Sequence, residues 1–168
     1  MVNKVSKIRI AGIVNDSITD GPGLRLTVFA QGCAHNCKGC HNPETHDPAG
    51  GYDRDIADIA QMAADNPLLD GVTFSGGEPF LQAAGFAELA KRVKALVPGL
   101  SVITYTGYTW EELVNAEWAQ ELLAVSDFIV DGRFEEDKKS LALKYAGSTN
   151  QRFINVKEMG GNSLWSSN

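Results

Sequence analysis

All of the chain's cysteines, Cys33, Cys37 and Cys40, lie in one short stretch of the sequence. Its three histidines lie in or just after the same stretch, at positions 35, 41 and 46. Thiolates are preferred ligands of zinc and of iron–sulfur clusters, and three of them in one loop can hold either group. We therefore predict that residues 33–46 form a metal site.

The number of thiolates narrows the choice of metal group. A structural zinc site has four protein ligands, and a four-iron cluster has four corners, each usually held by a cysteine. With three cysteines in the chain, either a histidine completes a Cys3His zinc site, or one iron has no protein ligand and can bind a substrate or cofactor. The glycines and proline of residues 32–43 predict a wrapped loop whose backbone amides can donate to the sulfurs, which fits both groups.

Several motifs resemble those of a known enzyme family. The C-x3-C-x2-C pattern at residues 33–40 resembles the signature of the radical S-adenosylmethionine (SAM) enzymes, and Ser-Gly-Gly-Glu-Pro at residues 75–79 resembles their second motif. Four further segments, within a resemblance that spans about residues 12–156, are similar to a narrower family, the activating proteins of anaerobic ribonucleoside-triphosphate reductases: residues 20–29, 104–108, 130–134 and 147–152. Radical SAM enzymes commonly carry an aromatic residue just before the third cysteine, beside the adenine. This chain has Gly39 there, a glycine that the narrower family shares.

The resemblance implies a cofactor, a reaction and a partner. It implies that Cys33, Cys37 and Cys40 hold a [4Fe–4S] cluster whose fourth iron binds SAM. One electron, from a flavodoxin or ferredoxin, would cleave SAM to methionine and a 5′-deoxyadenosyl radical. This radical would then take a hydrogen from a glycine of the anaerobic ribonucleoside-triphosphate reductase. No side chain is expected to act as an acid, base or nucleophile, and contacts with SAM are expected at Gly39, His41, Ser75, Gly76, Gly77 and Glu78.

Three other functions remain open at this point. An activase of another glycyl radical enzyme, of the pyruvate formate-lyase type, would share the two main motifs. So would a radical SAM enzyme that acts on a small molecule, such as 7-carboxy-7-deazaguanine synthase. The segment at residues 131–152 favours the reductase activases over both. A binding module with a Cys3His zinc site is the third alternative, and it leaves residues 75–79 unexplained.

The composition limits the number of domains, the classes of partner and the location that the chain can have. The 168 residues are 43% hydrophobic and 21% charged, which predicts a single domain over residues 1–168. A net charge of −6 argues against a nucleic acid or an anionic membrane as partner. An odd number of cysteines does not suit a disulfide framework, and an oxygen-sensitive thiolate site predicts a cytoplasmic location. No stretch of the sequence is long and apolar enough to span a bilayer.

Hydrophobic patterns and turn signals predict alternating strands and helices. Strands are predicted at residues 7–14, 24–30, 71–75, 101–106, 128–130 and 153–156, and helices from a cap at Asp53 to about residue 65, at 80–97 and at 109–125. About four to five β/α units indicate an α/β fold with a curved, mostly parallel sheet. Because an eight-unit barrel typically needs ~250 residues, the chain is predicted to build a partial (β/α) barrel, as the radical SAM resemblance also implies. The two main motifs then follow strands at one edge of the sheet.

The loops after the later strands hold further candidates. Tyr105, Tyr108 and Trp110 are expected mainly to pack within the protein. Asp131 and Arg133 follow the strand at residues 128–130, where they either face the site as a charge pair or lie exposed. Residues 160–168 are predicted to be a frayed tail.

Overall fold

The computed structural model describes residues 4–160, which form one seven-stranded sheet with helices between its parallel strands. The predicted tail, apart from residue 160, lies outside the described residues. The strands are β1 (Lys7–Ser17), β2 (Arg25–Ala30), β3 (Tyr52–Asp55), β4 (Gly71–Gly76), β5 (Ser101–Tyr105), β6 (Phe128–Asp131) and β7 (Arg152–Asn155). The α-helices are α1 (Ile56–Ala64), α2 (Ala83–Leu96), α3 (Trp110–Val114), α4 (Gln120–Val125) and α5 (Val156–Gly160). Short 3-10 helices lie at Pro43–Thr45, Pro79–Gln82, Glu117–Ala119 and Glu136–Lys138.

The strands follow the order β3-β1-β2-β4-β5-β6-β7 across the sheet. The central strands β2, β4, β5 and β6 are mutually parallel, whereas β1, β3 and β7 join the sheet by antiparallel pairs. The predicted α/β class is confirmed. Within residues 4–160, three parallel crossovers join the central strands and the outer strands pair in the antiparallel sense, so the sheet is mixed.

The core lies between the sheet and its helices. The predicted apolar stripe of α2 is buried, with Phe86, Leu89 and Val93 at most 1% exposed. The Phe86 ring packs on Phe74 of β4, with 4.9 Å between ring centroids. Each such side chain contributes ~1.5–3 kcal/mol of burial free energy, so α2 holds β4 firmly beneath the loop that follows it. Among residues 4–160, no helix is long and apolar enough to cross a membrane.

Several predicted elements differ in their ends or continuity. The helix predicted at residues 109–125 is broken into α3, a 3-10 turn and α4, because the Gln120 amide donates to the Leu113 and Ala116 carbonyls and so terminates α3. Asp53 does not cap α1, since it lies in β3 and pairs with Arg9 of β1. The helix predicted at 80–97 begins at Ala83 after a 3-10 turn, and β7 ends before Val156, which opens α5.

Candidate metal and cofactor site

The carboxyl ends of the parallel strands carry the predicted functional loops. Parallel strands bring these ends to one edge of a sheet, where α/β proteins bind their ligands. A cavity of about 220 Å³ opens at this edge. Seven of the nine predicted site residues line it, namely Cys33, Cys37, Cys40, His41, Ser75, Gly76 and Gly77. The two motifs, 35 or more residues apart in the chain, therefore meet at one cavity.

The cysteine loop has the wrapped form that the sequence predicts. It is tied to the following segment by the Gly32 amide, which donates to the Thr45 carbonyl at 2.7 Å, and by the Cys33 amide, which donates to the His46 carbonyl at 3.1 Å. The amide of Asn42 donates to the Cys40 sulfur at 3.5 Å. Backbone amides directed at sulfur stabilise thiolate ligands and tune the metal group that they hold.

The electrostatic environment of Cys33 opposes an isolated thiolate. Burial raises the pKa of the Cys33 thiol, and the backbone N–H of His35 lowers it in part. The Glu78 carboxylate and the neighbouring Cys37 and Cys40 raise the pKa further. A cationic metal group reverses this balance, because it stabilises the deprotonated ligands directly. The Cys33 thiol is therefore suited to ligation rather than to free thiolate chemistry.

The candidate ligands lie around the cavity without being gathered at one point. Between residues 4 and 160, no group of three Cys, His, Asp or Glu side chains is placed to hold a metal ion. A zinc ion draws its ligands to within ~2.3 Å of one point, whereas a four-iron cluster holds its thiolates farther apart. Of the candidate fourth ligands, His35 contacts Glu78 through its ring Nε2, and exposed His41 packs against Phe134 with 5.0 Å between ring centroids.

The two glycines of residues 75–79 allow close packing between backbones. A Cβ atom at Gly76, where φ is +89°, would lie 2.7 Å from the Ala30 nitrogen, and one at Gly77 would lie 2.5 Å from the Gly32 oxygen. The Gly77 amide donates to the Ala30 carbonyl, and the Glu78 amide to the Gly32 carbonyl, both at 2.8 Å. The second motif is thus fastened directly to the start of the cysteine loop.

Glu78 has a different place from the one expected for a ligand-binding residue. Its side chain is 1% exposed and does not line the cavity. The carboxylate accepts hydrogen bonds from Phe80 N at 3.0 Å, Thr106 Oγ1 at 2.9 Å and Gly107 N at 2.8 Å. It also lies 2.5 Å from His35 Nε2. All of these partners belong to the protein itself.

Gly39 lies beside the cavity lining rather than in it. Its φ is +75°, a left-handed conformation that glycine adopts freely, and a Cβ atom there would lie 3.1 Å from Glu136 Cδ. An aromatic side chain at this position would be strained and would displace Glu136. The local backbone therefore explains why this chain lacks the aromatic residue that radical SAM enzymes commonly carry.

Gly39→Ala is expected to lower the free energy of unfolding of the metal-free protein by about 1–2 kcal/mol, because L-residues pay roughly that amount in the left-handed region. Gly99→Ala is the matched control, since a Cβ at Gly99 meets nothing within 4 Å. The control should leave stability unchanged or raise it slightly. Urea unfolding measures both values, and equal midpoints for the two variants would contradict this role of Gly39.

Asp131 and Arg133 were expected either to face the site as a charge pair or to lie exposed, and only Arg133 is exposed. Asp131 is 1% exposed and accepts from the Trp110 amide at 2.8 Å and from Arg152. Arg133 instead contacts Glu112, with 3.5 Å between Nη1 and Oε1. The Asp131 carboxylate, at the end of β6, pairs with the guanidinium of Arg152 in the adjacent strand β7. The spacing of these two residues in the sequence does not reveal that they pair.

Four side chains line the cavity without having been predicted to do so. All four belong to segments noted for their resemblance: Tyr105 ends β5 and Thr106 follows it, whereas Phe134 and Gln151 lie in the segments at 130–134 and 147–152. The Gln151 amide holds its wall of the cavity together, donating to the Gly132 carbonyl at 2.9 Å and accepting from the Gly147 amide at 2.8 Å. Their positions after β5 and β6 were the available signal. Trp110 is 1% exposed, and the Tyr108 ring packs at a tilt of 59° against Trp118, so both residues pack within the protein as expected.

Comparisons with known proteins agree with this site. Residues 19–154 match the family described as "4Fe-4S single cluster domain". The chain is 36% identical over 140 residues to the anaerobic ribonucleoside-triphosphate reductase-activating protein of Vibrio cholerae serotype O1, covering 80% of this chain and 89% of the relative. It is 34% identical over 142 residues to the protein of that name in Escherichia coli K12, covering 80% and 90%. The phage T4 protein of the same name is 31% identical over 137 residues, covering 79% and 85%.

Proposed function

The chain belongs to the family of the anaerobic ribonucleoside-triphosphate reductase-activating proteins, and from this premise we propose that it is itself a radical SAM activating enzyme. It cleaves SAM reductively and generates a glycyl radical on the anaerobic ribonucleoside-triphosphate reductase. The observation that carries the proposal is the meeting of three cysteines and the Ser-Gly-Gly-Glu-Pro motif at one cavity, at the carboxyl ends of β2 and β4.

The residues around the cavity have separate tasks. Cys33, Cys37 and Cys40 hold three irons of the [4Fe–4S] cluster and leave one iron for SAM. The backbone of residues 75–77 receives the methionine end of SAM. We assign contacts with SAM to His41 and Gly39, beside the third cysteine. When bound, the cluster and SAM would supply the redox chemistry: with one electron from a flavodoxin or ferredoxin, SAM would be cleaved to methionine and a hydrogen would be taken from a reductase glycine.

The fold suits a protein substrate. We assign the curved sheet to a partial barrel of the radical SAM type, in one domain over residues 1–168. Within the part of the chain that the structure describes, β3 and β7 are the outermost strands of the sheet and do not pair with each other, so a barrel built from it is open on one side. An open side admits a loop of another protein as readily as a small molecule. The oxygen-sensitive thiolate site favours the cytoplasm.

Metal analysis and SAM cleavage test the proposal together. After anaerobic reconstitution, we expect about four irons and four sulfides per chain, and methionine release when SAM and dithionite are added. Bound zinc without iron, and no methionine, would contradict the proposal and favour the zinc module. Reduced, cluster-free protein incubated with SAM is the control and should release no methionine.

A further inference from the structure

The Glu78 carboxylate joins three segments of the chain. It follows β4, it accepts from Thr106 and Gly107 after β5, and it contacts His35 of the cysteine loop. The side chains of His35 and Glu78 are 7% and 1% exposed. An ionised carboxylate only accepts hydrogen bonds, so the His35 ring donates its Nε2 proton to Glu78.

The loop after β5 leaves a space that the His35 ring fills. A Cβ atom at Gly107 would lie 2.4 Å from His35 Cδ2, so the ring occupies space that only glycine leaves open. Tyr108 packs edge-on against the ring, with 4.6 Å between centroids. The hydrogen bond, the missing Cβ and the aromatic contact all hold the same ring in one orientation.

We propose that Glu78 and His35 form a bracket that positions the cysteine loop over the ends of β4 and β5, and that the Glu78 carboxylate is a positioning group rather than a SAM ligand. His35 lies between Cys33 and Cys37 in the sequence, so fixing its ring fixes the backbone between two thiolates. The bracket thus orients the loop that carries the thiolate ligands.

The alternative role for Glu78, as a ligand of SAM, requires its carboxylate to lie elsewhere. To bind the ammonium group of SAM, the carboxylate would have to reach the cavity, which requires giving up donors that now satisfy a buried charge. Hydrogen bonds to a buried charged group are costly to leave unmade. The inference rests on the proposed function only for the identity of the ligand, because every contact of the bracket is made between residues of the protein itself.

Amide hydrogen exchange of the cluster-free protein tests the bracket directly. We expect His35→Ala and Glu78→Ala each to accelerate exchange in residues 33–40 by about tenfold, with no further gain in the double variant, because both remove one shared interaction. His35→Gln should restore slow exchange, since its amide nitrogen can replace Nε2. Gly107→Ala should resemble His35→Ala because it expels the ring. Lys38→Ala, at a side chain that is 92% exposed in the same loop, is the control and should exchange as the wild type does.

SAM binding to the reconstituted protein separates the two roles of Glu78. Electron paramagnetic resonance of the reduced cluster, followed during SAM titration, should report the same altered spectrum and the same change in affinity for His35→Ala and Glu78→Ala. A loss of SAM affinity in Glu78→Gln with wild-type behaviour of His35→Ala would overturn the inference and make Glu78 a ligand. Wild-type exchange in His35→Ala would overturn it as well. Failure of the wild-type protein to take up iron would contradict the proposed function instead, and the exchange result would still stand.

Discussion

Cys33→Ala is expected to reduce SAM cleavage to background and to prevent assembly of a complete [4Fe–4S] cluster, with the same result for Cys37→Ala and Cys40→Ala. Each thiolate is assigned to a different iron, and the three line one cavity with no fourth cysteine in the chain to replace them. The metal-free fold should persist, because Cys33 is only partly buried and alanine leaves its backbone bond to His46 intact. Iron content, methionine release and circular dichroism measure the three effects.

The variant His46→Ala distinguishes a cluster held by the three cysteines from a zinc site in which His46 is the fourth ligand. In a Cys3His zinc site, loss of the ligating histidine would release the metal as loss of a cysteine does. In the proposed cluster site His46 is not a ligand, and the substitution keeps its backbone carbonyl, which accepts from the Cys33 amide. We expect His46→Ala to retain iron. Full SAM cleavage by any cysteine variant would refute the ligand assignment.

Arg25→Met is expected to lower the free energy of unfolding by about 2–4 kcal/mol, since buried acceptors without donors are costly. Arg25 is 1% exposed at the start of β2. Its guanidinium donates to Thr73 Oγ1 at 2.7 Å and to the Val72 and Ser101 carbonyls at 2.9 Å, which joins the starts of β2, β4 and β5. Burial lowers the pKa of Arg25 to about 10, so the group stays charged at neutral pH.

Arg92→Met is the matched control for Arg25→Met. Arg92 pairs with Glu88 on the surface of α2 at 3.0 Å, with 39% of its side chain exposed. Such pairs contribute less than ~1 kcal/mol. Urea unfolding should separate the two variants by at least ~1 kcal/mol. Equal unfolding free energies would contradict the role assigned to Arg25. The cluster spectrum should not change in Arg25→Met, because the six-residue strand β2 separates Arg25 from the cysteine loop.

Local sequence signals predicted the parts of the site that depend on local chemistry. The cysteine spacing, the glycines of residues 32–43 and the strands at 24–30 and 71–75 were enough to place two motifs at one edge of the sheet, and the structure brings them to one cavity. The apolar stripe of α2 likewise followed from helical periodicity. These features depend on neighbouring residues, whose pattern a sequence displays directly.

Features that depend on distant partners were not predictable. In the segment Leu24 to Leu26, alternation suggests that Arg25 faces solvent, yet its carbonyl partners come from two other strands. The role of Glu78 is hidden for the same reason, since His35 lies 43 residues before it. The break in the helix at 109–125 depends on one amide, that of Gln120, reaching back to the Leu113 carbonyl. Asp131 and Arg152, 21 residues apart, meet only because β6 and β7 pair.

The most direct test of the account is one anaerobic reaction of the reconstituted protein with SAM, dithionite and the anaerobic ribonucleoside-triphosphate reductase. Methionine is measured by chromatography and the glycyl radical by electron paramagnetic resonance. The account predicts that both appear together, and that neither forms with Cys33→Ala. Methionine without a glycyl radical on the reductase would contradict the proposed partner and move the activity to another substrate.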